Sequence, residues 1–168
     1  MANQKYPVLP VELANQLSSI EATDGLYHPC MVTLRDGTSV DCVYLANAHA
    51  WFRIWGIWPE DDRGKQALDV RAVASISDSP SRLPALFANR LYAEGESGMG
   101  YTIFTVKFRD GTSVVVGTGN AIDFIDYPPG QTKDTVVDVL PHIGRDAPEI
   151  RTAPRYYWCL YDGVGTAI

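Results

Sequence analysis

The stretch Arg35-Asp36-Gly37-Thr38-Ser39-Val40 occurs a second time, unchanged, as Arg109-Asp110-Gly111-Thr112-Ser113-Val114. Asp-Gly between two apolar runs is a strong signal for a β-hairpin, because glycine readily adopts the positive φ that tight turns require. Apolar and polar residues alternate on both sides of each copy, which is typical of strands with one face on a core. The sequence therefore predicts hairpins at about 28–47 and 101–118.

The similarity between the two regions extends beyond the hexapeptide. The pair Asn47-Ala48 after the first hairpin is matched by Asn120-Ala121 after the second. The offset between the copies is 74 residues at the Asp-Gly turn and 73 at the Asn-Ala pair. We interpret the matches as two copies of one β unit, at about 28–78 and 101–143. Independent convergence on a common turn is the alternative.

The elements around these two units complete the predicted architecture. Apolar residues at helical spacing predict helices near 10–21 and near 82–93, the second of which joins the two units. An aromatic run predicts a C-terminal strand at about 155–161. We expect an α+β fold, mainly antiparallel β with two helices, in a single compact domain spanning 1–168.

The pattern apolar-x-apolar-Arg-Asp-Gly-x-x-Val, present in both copies, resembles the first hairpin of Sm-like and SH3-like small barrels. The resemblance is confined to the hairpin in each copy. It implies two similar, strongly bent small-barrel sheets, and it implies nothing about a ligand.

An unusual aromatic segment runs from Trp51 to Trp58, where apolar residues are interrupted only by Arg53 and Gly56. As a strand it would be apolar on both faces, which predicts a central strand or a covered edge. Core packing is one interpretation of the segment. The other is a recognition surface, because Trp, Tyr and Arg dominate binding hot spots and Arg can stack on an indole. The candidate ligand-binding residues here are Trp51, Arg53, Trp55 and Trp58.

A glycine-rich stretch, 95–100, leads into the second hairpin. Its glycines would let the backbone approach a ligand closely or form an anion-binding nest, with Glu96, Ser97, Gly98 and Gly100 as candidate binding residues. The stretch matches neither a nucleophile elbow nor a P-loop. A flexible connection between a helix and a strand is the alternative interpretation.

Composition excludes some function classes. The chain has 168 residues, 46% of them hydrophobic, and a formal net charge of -6. Its 14 basic residues form no run, so a footprint for nucleic acid or an anionic membrane is not visible. The sequence shows no signal peptide and no apolar run long enough to cross a membrane, so we expect a cytoplasmic protein.

Cysteines and histidines point to no metal, cofactor or disulfide framework. Three cysteines with no close pair favour buried reduced thiols. The three histidines stand apart in the sequence, so converging metal ligands are not expected.

These observations favour a non-enzymatic binding or interaction protein, whose partner is a protein or a small molecule. Exposed strands of a small sheet can pair between chains, so a homo-oligomer stays open. The alternative is a small hydrolase-like enzyme with a pocket at the glycine-rich stretch 95–100, for which no catalytic residue is assigned. A third interpretation is an RNA-binding Sm-like module, which the acidic charge disfavours.

Overall fold

A computed structural model of the chain describes residues 5–143 and 149–165. The chain forms two compact units: unit 1 comprises Met1–Ser79 and Tyr156–Ile168, and unit 2 comprises Pro80–Arg155. The helices and strands, in chain order, are α1 (Val11–Leu17), β1 (His28–Leu34), β2 (Ser39–Asn47), α2 (Ala48–Trp55), β3 (Val73–Ser77), α3 (Ala85–Glu94), β4 (Thr102–Phe108), β5 (Ser113–Thr118), β6 (Val136–Pro141), β7 (Arg151–Thr152) and β8 (Tyr157–Tyr161).

Each unit contains one four-stranded mixed sheet, so the fold is α+β. The strand order is β3-β1-β2-β8 in unit 1 and β6-β4-β5-β7 in unit 2. In both sheets the hairpin and the strand beside its first arm are antiparallel, whereas the strand beside its second arm is parallel. Over the described residues neither sheet closes into a barrel, so the small-barrel prediction is not confirmed. Duplication of one ancestral unit, within one domain, stays a prediction.

The repeated hexapeptide forms the same corner in both hairpins. The Asp36 carboxylate accepts a hydrogen bond from the backbone N–H of Thr38, and Asp110 accepts one from Thr112, both at 2.9 Å. The backbone N–H of Thr38 lowers the pKa of Asp36, and the hydroxyl of Thr112, followed by its N–H, lowers the pKa of Asp110. The glycine of each copy has φ near +90°, at 91° and 90°. Turn geometry therefore accounts for the Asp-Gly pair.

The arginine of each copy ties its corner to the rest of the sheet. Arg35 Nε donates to the carbonyl oxygen of Arg71 at 2.8 Å, and Arg109 Nη2 donates to that of Asp134 at 2.9 Å. Both acceptors lie in a short 3-10 turn that enters the third strand of the sheet, β3 or β6. The hexapeptide is a structural corner that joins three strands.

Gly37→Ala and Gly111→Ala are each expected to lower the free energy of unfolding by about 1–2 kcal/mol, because an L side chain is strained at positive φ. Urea denaturation measures the loss in each variant. Gly64→Ala is the matched control, since Gly64 does not have a positive φ and an added Cβ meets only the Asp62 side chain at 3.4 Å. A loss at only one of the two corners would contradict the shared role.

A β-bulge explains why the offset between the copies changes from 74 to 73. In unit 1, Val32 pairs with Val40 but Cys30 pairs with Val43, so β2 has one extra residue. Cys42, within this bulge, has φ 58. The β4–β5 ladder passes through the corresponding region without a shift.

The aromatic segment is helical as far as Trp55, which corrects the strand prediction. Asn47 caps the start of α2, with its side-chain oxygen accepting from the backbone N–H of His49 at 3.1 Å and of Ala50 at 3.3 Å. Gly56, at φ 72, ends the helix in the left-handed conformation. The two caps outweigh the strand preference of Trp, Phe and Ile. Among the described residues there are therefore three α-helices instead of the predicted two.

The boundaries of the remaining helices and strands differ from the predicted ones. α1 starts inside the segment 10–21 but ends at Leu17, and α3 overlaps 82–93. β8 lies inside 155–161, whereas the two-residue β7 has no counterpart among the predicted strands. All three cysteines are buried, and none of them forms a disulfide.

Both faces of the unit 1 sheet are covered. On one face, Cys30, Val43, Leu45 and Cys159 pack with the apolar residues of α1. Side chains alternate along a strand, so Tyr44 and its neighbours on β8 face the other side, toward α2. The helix α2 thus closes the second face of this sheet.

Candidate functional site

Three indole rings from the aromatic segment form a stack. The Trp51 ring lies 5.7 Å from that of Trp55 and 6.4 Å from that of Trp58, with interplanar angles of 13° and 14°. Trp51 is 0% exposed, whereas the other two are half-buried. The cluster is therefore core at its centre and surface at its two ends.

The stack rests on aromatic side chains from distant parts of the chain. Trp158 on β8 meets Trp51 and Trp55 edge to face, at 5.3 and 5.1 Å, and stacks on Tyr44 at 4.8 Å. Trp55 Nε1 donates to the hydroxyl of Tyr27 at 3.0 Å. The segment 156–161 is recognisably aromatic in the sequence, but no sequence pattern indicates that it contacts the segment 51–58. The parallel β2–β8 pairing brings them together.

Two lysines cover the half-buried ends of the stack. Lys65 Nζ lies 4.9 Å from the ring centre of Trp55, and Lys5 Nζ lies 5.0 Å from that of Trp58. Both distances are typical of cation–π contacts. Arg53, expected at the sequence level as a stacking partner, is exposed and contacts no ring within the described part of the chain.

The acidic residues that follow α2 interact with side chains of the same chain. The Tyr6 hydroxyl donates to Glu60 at 2.7 Å, and burial together with this carboxylate raises the pKa of Tyr6. Lys5 pairs with Asp61 at 3.6 Å, and Lys65 pairs with Asp62. The hydrogen bond from Lys65 lowers the pKa of Asp62. Hydrogen bonds and ion pairs of its acidic residues thus hold the segment after α2 in place.

The outer surface of α2 and of the residues just after it is apolar and exposed. Phe52, Ile54 and Ile57 are 37%, 59% and 39% exposed. Phe52 packs on Trp58 with ring centres 4.3 Å apart, which links the exposed residues to the stack. We call Phe52, Arg53, Ile54 and Ile57 the α2 surface.

The glycine-rich stretch 95–100, in unit 2, is held by local hydrogen bonds. The Ser97 hydroxyl accepts from the backbone N–H of Ile103 at 2.8 Å and also lies 3.0 Å from that residue's carbonyl oxygen, to which it donates. Glu96 accepts from the N–H of Gly100 at 3.0 Å. An added Cβ at Gly98 would lie 2.3 Å from the ring of Tyr101, so only glycine fits without displacing that ring. Each candidate residue of this stretch has a local structural role.

An apolar cleft lies close to this stretch. It has a volume of about 360 Å³ and is lined by Tyr101, Ile103, Gly117, Thr118, Gly119, Ile150 and Thr152. These residues include no carboxylate or imidazole, so this cleft offers none of the usual general acids or bases apart from a tyrosine. The candidate residues of the segment 51–58 belong to unit 1, and those of the stretch 95–100 belong to unit 2.

A second cleft in unit 2 has a volume of about 590 Å³ and contains more polar groups. Its Tyr127 hydroxyl donates to the carbonyl oxygen of Arg82 at 2.8 Å. Its Gln131 side chain donates to Asp110 at 2.8 Å. Asp126 is its only carboxylate. The Tyr127 and Gln131 side chains are thus used in structural hydrogen bonds. The residues that line this cleft offer one carboxylate, Asp126, and no histidine or lysine that could act with it as an acid–base pair.

A polar cluster lies below the surface of unit 2. The Asp123 side chain is 0% exposed, and the Tyr92 hydroxyl donates to its carboxylate. The same hydroxyl accepts from the backbone N–H of Ile122 at 3.2 Å. The N–H of Leu83, just before α3, donates to the Asp123 carbonyl oxygen at 2.6 Å. This cluster fixes the coil after β5 against α3.

Comparison with known proteins found no matching family model, no similar curated protein and no similar solved structure.

Two further features of the structure bear on function. Among residues 5–143 and 149–165, no three His, Cys, Asp or Glu side chains converge in a way that could hold a metal ion. No helix in the described part of the chain is long and apolar enough to cross a membrane.

Proposed function

We propose that this chain is a non-enzymatic interaction protein that binds a protein partner through the α2 surface. The exposure of Phe52, Ile54 and Ile57, three large apolar side chains within six residues, carries the proposal. Exposed apolar surface of this kind on a soluble protein marks sites of interaction. Arg53, within this surface, and Trp58, which packs on Phe52, are residue types that are enriched in binding hot spots.

The way α2 is held supports the same conclusion. The helix is capped at both ends, and Trp51 anchors it in the aromatic cluster. A surface that is ordered before binding loses less conformational entropy when a partner docks. The anchoring residue and the exposed residues thus divide the segment into a support and a contact surface.

Ile54→Asp is expected to abolish retention of the partner, because it replaces the most exposed apolar side chain of the α2 surface with a charge. The tagged chain is expressed in its native host, and the proteins that co-purify are compared among wild type, Ile54→Asp and Leu86→Asp. Leu86 is the matched control, since it is 69% exposed on α3 in unit 2. With the purified partner, Ile54→Asp should weaken binding at least about tenfold.

Thermal unfolding of each variant shows whether the fold is retained. If Ile54→Asp lowers the unfolding temperature, Ile57→Ser replaces it, since Ile57 lies outside the helix. Retention of the same partners by wild type and by the folded α2-surface variants would contradict the proposal.

A further inference from the structure

We infer that the partner presents carboxylates around an apolar anchor, as an acidic amphipathic peptide segment of a protein does. This inference rests on the proposed function and adds the sign of the charge that the α2 surface recognises. The charged groups near α2 differ in whether they have a partner within the chain.

Two of the three carboxylates that follow α2 are paired with a lysine, and the third accepts a hydrogen bond. Glu60 accepts from the Tyr6 hydroxyl, Asp61 pairs with Lys5, and Asp62 pairs with Lys65. The two lysines are doubly engaged, since each also lies over an indole ring. Neither these carboxylates nor these ammonium groups are free to pair with an incoming partner without breaking a contact of the fold.

Two arginines in the same region are not compensated. Arg53 and Arg63 are exposed, and neither has a hydrogen-bond, ion-pair or ring partner among residues 5–143 and 149–165. Arg53 lies on α2 between Phe52 and Ile54, and residues on a helix are 100° apart, so its side chain emerges at the middle of the outer surface. A guanidinium in that position is suited to a carboxylate, which it binds through two parallel hydrogen bonds.

Charge also separates this partner from other candidates. The chain has a net charge of -6, which repels an extended polyanion such as a nucleic-acid backbone or an anionic membrane more strongly than a short segment that carries few charges. A twofold dimer centred on α2 would bring the two Arg53 side chains together near its axis, which is unfavourable. A short acidic segment meets the two free arginines locally, and its apolar side chains pack against the exposed apolar side chains beside Arg53.

The test uses two synthetic fluorescein-labelled peptides of about 16 residues, roughly four helical turns. One carries leucine on one face and glutamate elsewhere, and the other carries lysine in place of every glutamate. Fluorescence anisotropy with the full chain is measured at low and at high ionic strength. We expect the acidic peptide to bind, the basic peptide not to bind, and added salt to weaken the acidic complex.

Variants then locate the interaction. Arg53→Glu combined with Arg63→Glu should weaken binding of the acidic peptide about tenfold, whereas Arg53→Lys, which keeps the charge but loses the paired hydrogen bonds, should weaken it less. Equal or tighter binding of the basic peptide, an acidic complex unaffected by the double variant, or no binding of either peptide would overturn the inference. Self-association of the wild type that Arg53→Glu abolishes, measured by light scattering, would also overturn it.

The inference and the proposed function fail separately. If retention of the host partner is lost in Ile54→Asp but unchanged in the folded Arg53→Glu variant, the charge assignment is wrong and the proposed function stands. If retention is unchanged in both, neither stands.

Discussion

Trp51→Ala is expected to lower the free energy of unfolding of unit 1 by about 3–5 kcal/mol, the range for truncating a fully buried aromatic residue. Trp51 is 0% exposed and contacts three other indole rings. Its removal leaves a cavity under α2, and Trp55 and Trp58 lose the ring on which both stack. The contacts with Trp158 disappear with it, so β8 also loses a contact on this face of the sheet.

Urea denaturation followed by circular dichroism measures this loss. Phe52→Ala is the matched control, because Phe52 is the next residue of the same helix and is 37% exposed. The control should lose less than about half of what the Trp51 variant loses, since less apolar surface leaves a buried environment. Equal losses for the two variants would show that the indole stack is not the anchor of α2.

Tyr92→Phe is expected to lower the free energy of unfolding of unit 2 by about 2–4 kcal/mol. The substitution removes only a hydroxyl, but that hydroxyl is bonded to the buried Asp123 carboxylate and to the Ile122 N–H. Both groups would then be left with one partner fewer, away from water. A carboxylate that loses a donor in the interior costs more than a neutral group does.

Tyr157→Phe is the control for the loss of a hydroxyl, because the Tyr157 hydroxyl has no hydrogen-bond partner among the described residues. Its unfolding free energy should stay within about 0.5 kcal/mol of wild type. A similarly small change for Tyr92→Phe would mean that the Asp123 cluster is not a stabilising element of unit 2.

Local signals in the sequence were sufficient for the two hairpins. Asp-Gly between alternating residues specifies a turn through interactions within a few residues, and the structure realises them through Asp36 and Asp110. The α2 helix shows the limit of the same reasoning. Its cap residues Asn47 and Gly56 favour a helix, whereas the aromatic and branched residues between them favour a strand, so the local preferences conflict.

The candidate site depended on contacts that no local pattern contains. The segment 51–58 was open to either a core or a surface interpretation, and the structure assigns Trp51 to the first and Ile54 to the second. The decision comes from Tyr27 and Trp158, which lie far away in the chain. The two-residue β7 is too short for a periodic signal, since alternation needs about four residues to be recognised.

The position of β8 has a consequence for the order in which the protein can assemble during translation. The fourth strand of the unit 1 sheet, and with it Trp158, follows all of unit 2 in the chain. Unit 2 is therefore synthesised in full before unit 1 receives its last strand. At roughly 5–20 residues per second, the ribosome needs several seconds to synthesise unit 2. Until then Tyr44 and Trp51 lack the indole that packs against both of them. The nascent first unit must keep this aromatic face from other chains for several seconds.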